Sequence, residues 1–259
     1  TKKMKVNEGE VPQYYVENSH PAIIEPEVFD MAQDELARRK QAGRSHHGTN
    51  CFAGKLVCGC CGGLYGSKVW HSTDKYRRVI WQCNGKFKGK QKCDTPHLTE
   101  EAIRQKFLAA FNGLLADRDF IIEDTKELLT RLTDTTSLEE EATRLRNEMS
   151  SISQSVRALI DRNAQSSIDQ QDYESEYQRM TERFAELENR LRGIEAECDR
   201  RKMQRSALIN FLKTLKSTQA PITDFTPQLW NALVEKATVN ADGRMVFTFR
   251  NGMKMQQKL

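Results

Sequence analysis

The stretch LVCGCCGGLYGSK, residues 56–68, places three cysteines within four positions. Cys58 and Cys61 are separated by two residues, a spacing that lets both sulfurs of one turn reach the same zinc ion. Cys60 is adjacent to Cys61, so its side chain should point away from that ion. The two glycines that follow supply the permissive backbone that such a turn requires. This stretch therefore predicts one half of a structural metal site.

Two later cysteines supply the other half, in the pattern C-x2-C-x21-C-x9-C. Cys83 ends a predicted strand whose hairpin partner brings it back beside Cys58, and Cys93 follows in the next loop. We predict structural Zn²⁺ held by Cys58, Cys61, Cys83 and Cys93, because a short basic segment with little core needs such a staple to fold. Two alternatives stay open at this point, namely His97 in place of Cys93 and four unlinked buried thiols.

Catalytic motifs are missing from the sequence. It contains no GxSxG, P-loop or HExxH pattern, and four thiolates would leave zinc no open position for water. We predict no catalytic residues. No run of about 18 apolar residues is present and no signal peptide precedes the cysteines, so we expect neither a membrane span nor a disulfide framework.

Basic residues concentrate in one part of the chain. From Arg38 to Lys92 there are 13 Lys and Arg against one acid, Asp74, whereas residues 99–259 carry 24 basic and 26 acidic groups. Such a block favours a polyanion such as nucleic acid, although a merely solvated basic surface is the alternative. The candidate DNA contacts are Arg44, His46, Lys68, Lys75, Arg77, Arg78, Lys86, Lys88, Lys90 and Lys92.

Two long helices are indicated by apolar residues in alternating steps of three and four, the pattern of a coiled coil. One series runs from Leu138 to Asn163 and the other from Tyr173 to Leu215. Asp169 is the expected N-cap of the second helix. Arg201 and Arg205 interrupt its apolar seam near the base, where the first helix should no longer lie opposite. The economical interpretation is an antiparallel hairpin.

The flanking segments predict a mixed domain. Strands over 64–71 and 76–82 should be joined by Ser72–Lys75, and Thr99 should cap a helix. A short helix over Pro227–Val234 precedes two further strands near the C-terminus. Because a strand pair this small is not stable alone, we expect it to return to the sheet of residues 51–98. The helix after Thr99 should bury Ile103, Phe107, Ala110, Phe111 and Leu114.

The predicted fold class is α+β, a small zinc-ribbon β domain with an inserted long antiparallel coiled-coil hairpin. A short α/β remnant of an upstream domain precedes it, and the chain is expected to be part of a longer protein. The predicted boundaries are 1–42 for the remnant, 43–50 for a linker, 51–135 for the first part of the ribbon domain, 136–216 for the coiled coil and 217–259 for the return segment.

Several motifs, in order, resemble the C-terminal part of a large serine recombinase, a phage-type serine integrase or related transposase. They are SHPAIIEPEVFDMAQDELARRK, FAGKLVCGCCGGLYG, WQCNGK, KCDTPHLTEEAIRQKF and LWNALVEKATVNADGRMVFTFRNG. The resemblance implies that residues 1–42 end a recombinase DNA-binding domain. It also implies that the ribbon binds attachment sites in double-stranded DNA, and that coiled-coil tips of neighbouring subunits associate in a dimeric or tetrameric synapse and control direction.

The same resemblance implies a cytoplasmic protein, encoded by a bacterium or a phage. The family's catalytic serine domain does not occur in this sequence, so we expect the chain by itself neither to cut nor to rejoin DNA. A different class of function is the alternative, a zinc-stabilised coiled-coil module that binds proteins without DNA specificity.

Overall fold

A computed structural model describes residues 50–87, 92–166 and 169–259, together with positions 7, 23, 24, 29, 32, 33 and 36. The predictions for the remnant at 1–42 and for the linker at 43–50 therefore lie almost wholly outside the described residues.

The described strands form two sheets. They are β1 Leu56–Cys58, β2 Tyr65–Trp70, β3 Arg78–Cys83, β4 Val234–Val239, β5 Arg244–Phe249 and β6 Lys254–Lys258. A four-stranded sheet has the order β1-β4-β5-β6, in which β1 and β4 are parallel and the other neighbours antiparallel, while β2 and β3 form a separate antiparallel pair.

The return segment pairs with a strand of residues 51–98, as predicted. That strand is β1 rather than either strand of the β2–β3 hairpin. The outer side of β3 is already occupied, because Trp81 and Leu98 exchange backbone hydrogen bonds of 2.7 and 2.8 Å. β1 offers a free edge instead, and its register with β4 pairs Cys58 with Val239.

Five helices are described, α1 Glu100–Ala116, α2 Arg118–Leu132, α3 Thr136–Gln165, α4 Gln170–Ser217 and α5 Pro227–Leu233. The caps predicted at Thr99 and Asp169 are confirmed, since the Thr99 hydroxyl accepts from the Ala102 amide at 3.2 Å and the Asp169 carboxylate accepts from the Gln171 amide at 2.9 Å. Such caps satisfy amides that the first helical turn leaves without partners.

The main core lies between α1, α5 and the four-stranded sheet. Trp230 is its centre, with ring centroids of Phe52 and Phe107 at 5.0 and 5.3 Å. The buried stripe predicted for α1 is confirmed, because all five of its residues are buried in this core. The return segment is therefore part of the same folded unit as the ribbon.

A second, separate core joins α3 and α4 into an antiparallel hairpin. Its buried members are Ala142, Leu145, Leu187, Ile194 and Cys198. Ion pairs cross between the arms, including Arg146–Glu195 at 2.7 Å and Arg183–Glu148 at 2.8 Å. At 1.5 Å per residue the 48-residue α4 is about 72 Å long. The mixed α+β class and the long helical hairpin are thus confirmed, whereas the exact domain boundaries stay predictions.

At the base of the hairpin α4 extends beyond the residue at which α3 begins. The Arg201 guanidinium donates to the Asp134 carbonyl at 2.5 Å, and that of Arg205 donates to the Thr133 hydroxyl at 3.4 Å. The two arginines therefore face the junction between α2 and α3, as the interrupted seam indicated. Further along α4, Phe211, Leu212 and Leu215 enter the main core, so one helix belongs to both cores.

Candidate metal centre and nucleic-acid interface

The first half of the candidate metal centre is a tight turn at the end of β1. The Cys58 amide donates to the Gly63 carbonyl at 2.8 Å, and the Gly62 amide donates to the Cys58 carbonyl at 2.9 Å. Gly62 has a φ of +68°, a conformation that side-chain-bearing residues rarely adopt. The turn directs Cys58 inward, where it is buried, while Cys61 remains exposed.

The β2–β3 hairpin supplies the second half. Its register places Cys83 opposite Tyr65, and the Asn84 amide donates to the Leu64 carbonyl at 3.0 Å. The Gly85 amide donates to the Cys83 sulfur at 3.3 Å. Cys93, in the loop before α1, is buried against the same group. Hairpin pairing therefore closes the sequence gap between the two halves.

The four sulfurs fit one tetrahedral metal ion. They all lie within 4.8 Å of one another, and those of Cys61 and Cys83 are 3.5 Å apart. A tetrahedral site with metal–sulfur bonds of about 2.3 Å requires sulfurs about 3.8 Å apart. The observed separations bracket that value, and a four-sulfur set suits zinc or iron and leaves no position for a reacting water.

The four thiols lie so close together that burial and contacts between them shift their pKa values. Burial raises the pKa of Cys58, but hydrogen bonds from Thr95 and from the amides of Cys61 and Cys60 outweigh burial and bring that pKa to about 6. Burial raises the pKa of Cys83 to about 11, and contact with Cys61 raises the pKa of Cys93. A bound divalent ion would supply the positive charge that stabilises all four cysteines as thiolates.

The return segment supports the metal turn directly. The Gly59 amide donates to the Val239 carbonyl at 2.8 Å, and a Cβ atom at position 59 would lie 2.2 Å from the Asn240 side-chain oxygen. A side chain at position 59 would displace the Asn240 side chain and crowd the Val239 carbonyl oxygen, which lies 3.1 Å from that Cβ position. The candidate centre is thus assembled from segments about 180 residues apart in the chain.

The β2–β3 hairpin also carries the exposed cations. Its connection runs from His71 to Arg77 and is longer than the predicted Ser72–Lys75, so that prediction is wrong. The reason is local, because Asp74 accepts from the Tyr76 amide at 2.7 Å and lies 3.0 Å from the His71 imidazole nitrogen. These contacts hold the loop in a conformation that ends the strand pairing early.

Four of the predicted DNA contacts lie together on the β2–β3 hairpin, whereas Lys86 forms an internal hydrogen bond. Lys68, Lys75, Arg77 and Arg78 are exposed on the β2–β3 hairpin. Lys86 donates to the Thr95 carbonyl at 2.8 Å, so its ammonium group supports the loop before Cys93. Lys92 is exposed, whereas Arg44, His46, Lys88 and Lys90 lie outside the described residues.

Two contributors to the site escaped the sequence reasoning. Thr95 is fully buried with its hydroxyl 3.4 Å from the Cys58 sulfur, and Asn240 lies against the metal turn. The available signal was the proximity of Thr95 to Cys93 in the sequence. His97, considered above as an alternative ligand, instead contacts the Trp70 ring with centroids 4.6 Å apart.

These observations define a class of protein domain, a β ribbon with four clustered thiols and a basic hairpin. The comparison with protein families is more specific, because residues 51–112 match the family model of the recombinase zinc beta ribbon domain. The matched segment contains all four clustered cysteines. Residues 51–112 are thus similar to a recombinase zinc beta ribbon domain, which agrees with the resemblance to a recombinase that the sequence motifs indicate.

Among solved structures, the chain is similar to one in the crystal structure of an LSR–DNA complex. The identity is 15% and the TM-score 0.34, over 89% of this chain and 65% of that one. This chain thus spans about two thirds of the length of that neighbour. No curated protein matches the chain. No described helix combines the length and apolar composition needed to cross a membrane.

Proposed function

We propose that this chain binds double-stranded DNA at recombination attachment sites through its ribbon, with a structural zinc ion held by Cys58, Cys61, Cys83 and Cys93. The observation that carries the proposal is the match of residues 51–112 to a recombinase zinc beta ribbon, in the segment where the four thiols meet beside a basic hairpin. The ion's role is structural, because it joins the β1 turn to the β2–β3 hairpin.

Phosphate contacts would come from the exposed cations of the hairpin and the adjoining loop. Lys68, Lys75, Arg77 and Lys92 are exposed, and Asp74 is the only acid between residues 51 and 93. Since Asp74 is paired with His71, the surface keeps a positive excess that would attract DNA and make binding sensitive to salt. Arg44, His46, Lys88 and Lys90 complete the proposed set, while Lys86 is left out because of its internal contact.

The helical hairpin would serve a different role, self-association of subunits during synapsis. The support is that its arms are held together by their own core, which is separate from the core that contains Cys58, Cys83 and Cys93. We propose that the tip, residues 163–172, is the contact region. The parent protein would be a serine recombinase whose catalytic domain is not in this sequence.

The decisive experiment is a salt titration of binding to duplex DNA, with zinc-loaded protein and again after chelation. We expect tight binding that weakens steeply as salt rises and disappears after chelation. No binding at low salt by folded, zinc-loaded protein would refute DNA binding and favour the protein-interaction module.

A second experiment separates the two roles. Replacing residues 165–171 by a short glycine linker should leave DNA binding intact and abolish association of DNA-bound chains, measured by analytical ultracentrifugation. Loss of DNA binding in the shortened chain would contradict a separable hairpin.

A further inference from the structure

Arg78 differs from the other cations of the β2–β3 hairpin because its guanidinium group packs against a partly buried aromatic ring. Arg78 lies directly opposite Trp70 in the antiparallel register, and its guanidinium carbon is 5.4 Å from the centroid of the Trp70 ring. His97, just before the N-cap of α1, contacts the same ring. Trp70 is half-buried, whereas Arg78 is exposed. A supported guanidinium group therefore faces solvent on this hairpin.

The neighbouring cations lack this arrangement. Arg77 has no aromatic contact among the described residues, and Lys75 lies over Tyr76, whose side chain is itself 65% exposed. Asp74 is engaged with His71, and in the described part of the chain no carboxylate forms an ion pair with Arg78. The donors of Arg78 are thus available to a ligand while its plane is restrained by a ring.

We propose that Arg78 reads base identity in the major groove, with a preference for guanine, and that Lys68, Lys75 and Arg77 contact phosphates. This inference rests on the proposed DNA binding. A guanidinium group can donate two parallel hydrogen bonds to O6 and N7 of guanine, a pairing that no other base offers in the same form. A two-stranded ribbon such as β2–β3 has the dimensions to enter the major groove.

Trp70 acts in this proposal as a positioning residue. Contact with its ring restricts the orientations of the Arg78 guanidinium before DNA arrives, which lowers the entropy lost when the two hydrogen bonds form. His97 supports the ring on the side of the loop that leads to α1. Cys83, one of the four metal cysteines, and the residues that read the base would then lie on one hairpin.

The test begins with selection of duplexes from a random pool by the zinc-loaded 259-residue chain. The selected duplex and a scrambled one are then titrated with salt for each variant. Arg78→Ala should lower the ratio of the two affinities by roughly 5- to 150-fold and relax the preference at one G·C pair. Arg77→Ala, the matched control, should weaken binding to both duplexes equally. It should also reduce the slope of log affinity against log salt concentration by about one.

A second pair of variants tests the positioning role. Trp70→Leu should lower the ratio of the affinities for selected and scrambled DNA, as Arg78→Ala does. Trp70→Phe should largely retain that ratio, because phenylalanine keeps a ring face for the guanidinium. Unchanged zinc content and circular dichroism would verify that each variant is folded. A Trp70→Leu variant that retains full selectivity would refute the positioning role.

The outcomes separate the two proposals. If the unaltered chain binds duplexes but Arg78→Ala weakens selected and scrambled DNA equally, Arg78 is a phosphate contact and base reading is refuted. If the unaltered, zinc-loaded chain binds no duplex, the proposed DNA binding itself fails and base reading falls with it.

Discussion

Replacing Leu187 by alanine should destabilise the hairpin without affecting the ribbon. Leu187 is 2% exposed in the core between α3 and α4, and none of the main-core residues belongs to that cluster. Removing a buried leucine side chain costs about 2–5 kcal/mol, from lost transfer energy and the cavity left behind. We expect about 3 kcal/mol, because neighbouring core residues such as Ala142 are small and can fill little of the space.

Native-state hydrogen exchange would measure this loss by segment. Amides of α3 and of the first part of α4 should exchange more than a hundredfold faster, which corresponds to about 3 kcal/mol of opening free energy. Amides of β4 and β5 should change by less than about 0.5 kcal/mol, because distant sites are usually independent. The end of α4 near Phe211 should also be unaffected, since it packs in the main core.

Ile160→Ala provides the matched control on the same hairpin. Ile160 is 45% exposed, so its truncation should cost less than about 1 kcal/mol. The reasoning would be refuted if Leu187→Ala accelerated exchange in β4 and β5 as much as in α3. In that case the hairpin and the ribbon would unfold as one cooperative unit, and the hairpin could not be a separable association element.

Three further predictions concern the metal centre and its flanks. Cys83→Ser should abolish stable binding of an ion, measured by native mass spectrometry, whereas Cys60→Ser should retain it, and equal losses would contradict the four-ligand set. Zinc affinity should rise with pH, by at least about a hundredfold per unit near neutrality, because the raised pKa values of Cys83 and Cys93 mean that both of these thiols must lose a proton when the ion binds. Chelator competition would measure this rise, and a flat profile would contradict it. Thr99→Ala should cost about 1 kcal/mol in urea unfolding through loss of the α1 cap, while the exposed Thr143→Ala should cost clearly less, and equal costs would contradict the capping role.

Local signals predicted the elements well where the chemistry is local. The caps at Thr99 and Asp169 depend on a side chain and on amides two or three residues away, so the sequence contains both partners. The buried stripe of α1 and the two long helices follow from apolar periodicity in the same way. The ends of β2 and β3 were predicted less well, because the Asp74 contacts that shape their loop compete with strand pairing.

The sequence predicted that the C-terminal strands return to residues 51–98, but it could not predict which strand there pairs with β4. The partner of β4 depends on which edges are already occupied, and Leu98 occupies β3 through backbone hydrogen bonds that any residue could form. The support of the metal turn by Val239 and Asn240 has the same origin, since it arises from the parallel register of β1 and β4. Backbone contacts of this kind leave little trace in residue types.

By itself, the sequence determined which cysteines form the cluster, the basic character of the β2–β3 hairpin and the presence of two long helices. Each of these depends on residue type and spacing. Tertiary structure alone decided that β4 supports the metal turn, that α4 belongs to two cores and that Trp70 lies beneath Arg78. The physical reason is that residue type sets what a side chain can do, whereas strand register and helix packing set which distant groups it meets.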